Sequence, residues 1–256
     1  MLNKVYQEDL VSIITPAYNA SKVIPEAIRS VQNQTYSKWE MLIADDCSPD
    51  DTADVVMTEA QLDSRIRLLK CEKNGGPALA RNTCLAKANG RWVAFLDSDD
   101  TWLPEKLEKS ISFALKNNSP LTFTGYKRLS FDGKRVGKFI HAPETLSYKE
   151  LLGNTAIATS TVLLDRHLTG EINMQKVYYD DFVCWLEILK KGFLAFGLNE
   201  DLMRYRVMEN SVSRNKLRSS MKVWKTYRTV EQLNIIEAAW HFTKYTYNAI
   251  KKYKQF

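Results

Sequence analysis

Arg91-Trp92-Val93-Ala94-Phe95-Leu96-Asp97-Ser98-Asp99-Asp100 passes from an apolar, β-rich run straight into three carboxylates. A strand that ends this way has reached the rim of a core. The pattern recurs upstream. Leu10 to Ile14 is a short apolar run halted at Thr15-Pro16-Ala17-Tyr18-Asn19, and a helical stretch follows from Lys22 to Gln34. Trp39 to Ala44 is a second strand, stopped by Asp45-Asp46, after which Cys47 to Thr52 supplies N-cap residues for a helix reaching Leu62. Ile66 to Lys70 is a third strand. Asn74-Gly75-Gly76-Pro77 is a turn, with Pro77 suited to the first position of a helix through Ala88 that leads back to Arg91. The alternation predicts crossover helices on both faces of a mostly parallel sheet, an α/β fold whose ligands bind beyond the carboxyl ends of the strands.

Beyond Pro104 a helix is expected to Asn118, then strands at Leu121 to Tyr126, Lys138 to His141 and Ser160 to Leu164, and a helix from Asp181 to Lys191. From Arg214 to Phe256 the tendency is helical, with Trp224, Tyr227, Leu233, Ile236, Trp240, Phe242, Tyr245, Tyr247 and Tyr253 set among lysines and arginines. Aromatics beside cations on an amphipathic helix suit the headgroup region of an anionic membrane; the plainer reading is packing helices with a solvated basic face.

The 256 residues are 45% hydrophobic and 26% charged, enough for one large domain with an appendage. No apolar segment follows a basic start, and no run of about eighteen apolar residues occurs. Neither signal peptide nor membrane span is predicted, and a cytoplasmic location is expected. Cys47, Cys71, Cys84 and Cys184 form no C-x-x-C pair, which fits free thiols in a reducing compartment better than disulfides or zinc. His141, His167 and His241 are scattered, so a metal here should be held by oxygen. From Arg204 onward twelve Lys/Arg face three Glu, a balance of +9, leaving 24 basic and 27 acidic residues, or −3, in residues 1–203. A mildly acidic body with a basic end points to an anionic partner for that end.

Two carboxylates at i and i+2, as in Asp97 and Asp99, can face a hard divalent ion that also binds diphosphate oxygens. The competing reading is an acidic helix start favoured by the macrodipole, since Pro104-Glu105 begins a helix nearby. Asp45-Asp46 ends another strand of the same sheet, and a carboxylate there can accept the imide N–H of uracil or simply cap a helix. Tyr18 offers an aromatic face for a base, so three strand ends converge on a nucleotide-sized site.

On these residues the chain resembles an inverting family 2 glycosyltransferase. Val11 to Asn19, Asp45-Asp46-Cys47-Ser48, Gly76 with Ala80-Arg81-Asn82, Phe95 to Asp100 with Trp102, and Tyr179-Asp180-Asp181 with Trp185 stand in that family's order over residues 10 to 210. The likeness within the family is to bacterial enzymes building teichuronic acid or O-antigen repeat units. It implies a GT-A fold, a Rossmann-like mostly parallel sheet flanked by helices, with residues 1–210 as the transferase domain and 211–256 as a basic helical extension. It implies Pro16 and Tyr18 beside the base, Asp46 on the uracil, Arg81, Asp97 and Ser98 along the nucleotide-sugar, and Asp97 with Asp99 on Mn2+ or Mg2+.

The family's base sits in an acidic pair, usually Glu-Asp; here the pair reads Asp180-Asp181, and spacing to Trp185 favours Asp181 over Asp180. The resemblance also implies a UDP-sugar donor of glucose, galactose, GlcNAc or GalNAc type and an undecaprenyl-diphosphate-linked glycan acceptor. The enzyme would then work on the inner face of the cell membrane, with no nucleic acid involved. Thr169 to Lys176 and Asn210 to Lys216 lie beside the expected site, and one of them is expected to close over the donor. Two rivals share some of the residues. Asp97 to Thr101 also fits the D-x-D-x-T pattern of haloacid-dehalogenase-type phosphatases, with Asp97 as nucleophile. The other rival is a non-catalytic nucleotide-sugar-binding protein on the membrane surface.

Overall fold

The computed structural model describes residues 5–207 and 216–253. β1 (Gln7–Ala17), α1 (Ile24–Gln32), β2 (Trp39–Asp45), α2 (Thr52–Leu62), β3 (Ile66–Lys70), α3 (Pro77–Lys87) and β4 (Gly90–Phe95) alternate as the hydrophobic pattern requires. β5 (Thr101–Trp102), α4 (Lys106–Asn117), β6 (Leu121–Leu129), β7 (Val136–Ile140), β8 (Thr145–Leu146) and α5 (Tyr148–Leu152) follow. A 3-10 turn (Thr159–Thr161), β9 (Leu163–Asp165), α6 (Arg166–Thr169), α7 (Asp180–Lys190) and β10 (Ala195–Arg206) complete the body; α8 (Lys216–Lys225), a π-helical turn (Thr226–Val230) and α9 (Ile235–Tyr253) come last.

The sheet order is β3-β2-β1-β4-β9-β6-β10-β5, with β7 beside β6 and β8 beside β10. β1 to β4 are mutually parallel, as are β6 and β10. β9 runs antiparallel between β4 and β6 and joins the two parallel halves. Alternate side chains feed two cores, as the period of two demands. Ile14, Leu42, Val93 and Phe95 face α3 and α7 on one side, where Phe95 meets Trp185 edge-on at 5.2 Å between centroids. Ile13, Met41, Ile43, Trp92 and Ala94 face α1 and α4 on the other. Gly90 permits the close pairing of β4 with β1, because a Cβ there would stand 2.2 Å from the Leu10 carbonyl oxygen.

Four differences from the sequence reading have physical causes. β10 was not expected, because Gly197, Asn199, Glu200 and Asp201 break its alternation and its pairing with β6 slips register between Leu198 and Asp201 and again before Arg204. The strand expected at Ser160 to Leu164 is split: the hydroxyl-rich half turns into the 3-10 segment and only Leu163–Asp165 pairs. The C-terminal helical stretch breaks after α8, at the π turn and at Gln232, whose φ is +55°. The aromatics there do not share one surface, for Tyr227 is fully buried while Trp240 and Tyr247 are exposed. The expected boundary at 210/211 lies outside the described residues. Val223, Tyr227 and Ala238 join the core beneath α5 and α7, so α8 and α9 pack on the body.

Candidate active site

Register brings the expected residues to one rim. Ile14 lies opposite Leu42 of β2 and Phe95 of β4, and Ala17 opposite Asp45, so Tyr18, Asp46 and Asp97 emerge where three parallel strands stop. Pro16 sits within the last turnout of β1, beside Ala44. The loop after β1 is stitched to the loop after β2: Asn19 N donates to Ser48 Oγ (3.0 Å), Ala20 N to Thr52 Oγ1 (2.8 Å) and Ser21 N to Asp50 Oδ2 (3.0 Å). Burial raises the Asp50 carboxyl, but hydrogen bonds from Ser21 and Thr52 outweigh it and bring it down to about 2. Tyr18, in this stitched loop, is 54% exposed.

Asp46 is buried, and its carboxylate accepts the backbone N–H groups of Gly75 (2.8 Å) and Gly76 (2.7 Å). Gly76 holds φ at +85°, a conformation that suits glycine, and α3 starts at the next residue. Asp46 therefore shapes the turn that launches α3, and each of its oxygens keeps a second lone pair for a ligand N–H. One oxygen of the neighbouring Asp45 is buried without a hydrogen-bond partner among the described residues.

Arg81, on α3, is buried and joins two segments far apart in sequence. Its Nη2 meets Asp97 Oδ1 at 2.6 Å and its Nη1 meets Asp180 Oδ2 at 2.7 Å. Burial works against its charge, but Asp97, Asp180 and Asp181 more than compensate and hold the guanidinium protonated. Its Nε–H is left without an acceptor among the described residues. The next residue, Asn82, clamps Met174 through two hydrogen bonds of 2.8 Å, pinning the middle of the segment from Thr169 to Lys176. Most of the other segment expected to close, Asn210 to Lys216, lies outside the described residues.

The acidic loop divides by role. Asp100 is buried, accepting from Ser160 Oγ (2.6 Å) and Arg206 N (2.9 Å); burial, with Asp99 and Asp97 beside it, pushes its carboxyl well above the usual range. Asp99 is pushed up to about 6, chiefly by burial and then by the charge of Asp97. Ser98 stands between them, half-buried. Asp97, 30% exposed and paired with Arg81, and the more deeply set Asp99 are hard oxygen donors whose mutual repulsion a divalent cation would relieve. Among the described residues no three His, Cys, Asp or Glu side chains gather into an ion cage, so an ion at Asp97 and Asp99 would draw further oxygens from its ligand.

Asp180 and Asp181 open α7. Asp180 is raised by burial and by Asp181, against the pull of Arg81. Asp181 faces elsewhere: Thr159 Oγ1 donates to its Oδ2 at 2.5 Å and Phe182 N to its Oδ1 at 2.7 Å. Three participants escaped the sequence reading. Thr159 holds Asp181, while Ser160 takes the Asp97 N–H on its hydroxyl (3.0 Å) and the Trp102 indole N–H on its carbonyl (2.7 Å). Arg206 donates from Nε to the Asp99 carbonyl (3.0 Å) and from Nη1 to the Phe131 carbonyl (2.9 Å), and pairs with Glu26. Hydroxyls inside an apolar run were the available signal for the first two. Arg206 and Arg204 belong by sequence to the basic end, but both are consumed inside the sheet, Arg204 pairing with Asp201 at 2.5 Å.

A mixed, mostly parallel sheet flanked by helices, with an aromatic ring, an arginine and carboxylates from three segments gathered at its rim, has the GT-A-like fold. Residues 12–165 match the glycosyl transferase family 2 model. A Bacillus subtilis glycosyltransferase named for teichuronic acid biosynthesis, TuaG, is 46% identical over 95% of this chain and 97% of its own length. WfgD of Escherichia coli, a UDP-Glc:α-D-GlcNAc-diphosphoundecaprenol β-1,3-glucosyltransferase, is 40% identical over 95% of both. The fold is shared with Staphylococcus aureus TarS 1–349 in complex with UDP-GlcNAc, at TM-score 0.68 and 19% identity over 92% of this chain and 71% of that one. It is shared too with a Pyrobaculum calidifontis mannosyltransferase in complex with GDP-Man and Mn2+, at TM-score 0.69 and 16% identity over 96% of this chain and 75% of that one. The chain belongs to glycosyltransferase family 2. The phosphatase reading of Asp97 falls with that membership.

Proposed function

We propose that this enzyme takes one sugar from a UDP-sugar and places it, with inversion, on a hydroxyl of a glycan carried by undecaprenyl diphosphate. The observation that carries the reading is Arg81, bonded at once to Asp97 of the acidic loop and to Asp180 of the pair that opens α7. One cation thus ties the donor side of the site to the acceptor side. The relationship to WfgD supports glucose as the first donor sugar to test and a diphosphoundecaprenol-linked acceptor.

In this reading Tyr18 stacks on the base and Asp46 receives the uracil imide N–H, while the buried, charged guanidinium of Arg81 lends positive charge beside the departing diphosphate. Asp97 and Asp99 would hold Mn2+ or Mg2+, which when bound supplies Lewis-acid stabilisation to the diphosphate oxygens. Asp181, hydrogen-bonded to Thr159 and not to Arg81, takes the proton of the acceptor hydroxyl as its oxygen bonds to the anomeric carbon and the carbon–oxygen bond to the diphosphate breaks on the opposite face. Asp180 stays committed to Arg81.

The test is thermal unfolding with UDP, with and without Mn2+, for the intact enzyme and Asp99→Ala, followed by transfer from UDP-glucose to a GlcNAc-diphospho-lipid. A metal-dependent stabilisation lost in Asp99→Ala, and a β-linked product, are expected. Stabilisation without any transfer from a panel of UDP-sugars would sink the catalytic reading in favour of a binder, and stabilisation by GDP or dTDP alone would displace UDP.

A further inference from the structure

The outer face of α9 has no partner among the described residues. Its inner face is fully engaged: Ala238 is buried, Phe242 meets Trp224 edge-on at 5.6 Å, and Asn248 Nδ2 donates to the Gly153 carbonyl at 2.6 Å. The segment leading into it is locked as well, for buried Glu231 accepts Tyr148 OH (2.6 Å) and Lys190 Nζ (2.7 Å). Opposite that anchored side stand Ile236, Trp240, Tyr247 and Ile250, 82%, 60%, 69% and 52% exposed. Their spacings of four, seven and three residues put them on one stripe of the helix, with exposed Thr243 filling the gap. Ile235, 66% exposed, widens the stripe at its start, and Met221 of α8, 72% exposed, adds a further apolar side chain on the neighbouring helix.

Core packing therefore does not explain these residues, and water is a poor medium for them. Charge decides what covers them. Residues 216–253 hold eight Lys/Arg against two Glu. Lys244 extends over the Trp240 ring, 4.5 Å from its centroid, so the cation lies beside the apolar stripe it accompanies. A second copy of the chain would bring like charge against like across such a face, whereas anionic headgroups complement it. The stripe is too broken by polar residues to span a bilayer, and no described helix is long and apolar enough to cross one.

We infer that α9 lies in the interface of an anionic lipid bilayer, with Ile236, Trp240, Tyr247 and Ile250 entering the acyl boundary and Lys244, Lys222 and Lys225 meeting the phosphates. The face is joined to the site through α8, since Lys222 Nζ stands 4.7 Å from the ring of Tyr178, two residues before Asp180. Docking there would present the loop that carries the acidic pair to the membrane surface. The inference deepens the proposed lipid-linked acceptor, though binding to the bilayer does not depend on which sugar is moved.

The experiment is flotation of the full chain with vesicles of phosphatidylglycerol and phosphatidylcholine, and with phosphatidylcholine alone, read beside the UDP and Mn2+ thermal shift. Wild type should bind the anionic vesicles at least about tenfold more tightly than the neutral ones. Ile236→Ser/Trp240→Ser/Tyr247→Ser/Ile250→Ser should lose binding about tenfold or more while keeping the UDP shift, which reports an intact fold. Lys222→Gln/Lys225→Gln/Lys244→Gln should weaken binding to anionic vesicles alone. Equal flotation of wild type and the serine variant overturns the inference, as does no flotation of wild type. So does a wild-type dimer in sedimentation that the serine variant dissolves, because the stripe would then belong to a second copy. Flotation without any UDP shift would leave the membrane face standing and remove the proposed donor.

Discussion

Asp180 and Asp181 are adjacent in sequence and differ in company. The first is spent on Arg81; the second has Thr159 and a backbone N–H for partners and is free of any cation within the described hydrogen bonds. Asp181→Asn is expected to lower kcat by about 10²–10⁴, the usual worth of a general base, with the UDP and Mn2+ thermal shift unchanged. Thr159→Val removes the hydroxyl that aims the carboxylate and should lower kcat roughly ten- to hundredfold at unchanged donor KM, and Thr159→Ser should recover most of it. Failure of serine to rescue would show that the methyl group, not the hydroxyl, is what matters. The acidic residues were legible in the sequence because charge at the end of an apolar strand is conspicuous. Thr159 and Ser160 were not, because hydroxyl residues sit in strands and turns alike, and only the fold brings them against Asp181 and Asp97.

Among the secondary-structure elements, β10 does what no motif announced. Arg206 at its end grips the carbonyl of Asp99, and its own N–H holds Asp100, so the last residue of a late strand shapes the acidic loop. Arg206→Gln should destabilise the protein by roughly 2–3 kcal/mol in urea unfolding, less than a fully buried pair because Glu26 is half-exposed. It should also weaken metal-dependent UDP binding. β1 to β4 could be read directly, since each is a short, predominantly apolar run with at most a lone polar residue inside it, closed by a polar stop. β10 could not, because its bulges suspend the alternation that identifies a strand.

α4 carries a second, separate strain. Lys106 is fully buried, its amine has no hydrogen-bond partner among the described residues, and it lies over the Trp102 ring, 4.6 Å from the centroid. Burial pushes this amine down to about 7, so between that pH and the ordinary lysine range the unfolded chain binds more protons and stability rises with pH. The cost is greatest below pH 7 and fades as the pH approaches about 10. Lys106→Met should therefore stabilise the protein, and by about 2–3 kcal/mol more at pH 6 than at pH 9. An equal gain at both pH values would mean that the amine reaches water.

Across the whole molecule, the sheet is two parallel blocks joined through one short antiparallel strand. The first block, β1 to β4, is complete by Phe95 and rests on neighbouring crossovers. The second depends on distant pairings, β6 with β9 and β10, and β5 with β10. The partner that covers the open side of β4, Leu163–Asp165, is not synthesised until the chain has added residues 96–162. During that interval a growing chain on the ribosome carries a bare strand edge, the kind of surface that pairs with strangers. Chains stalled before Leu163 emerges should be cut readily by protease within β6, and chains stalled after Arg206 has emerged should resist. For this enzyme the hazardous moment of biosynthesis lies in the middle of translation, and a slow stretch of codons there would lengthen the exposure.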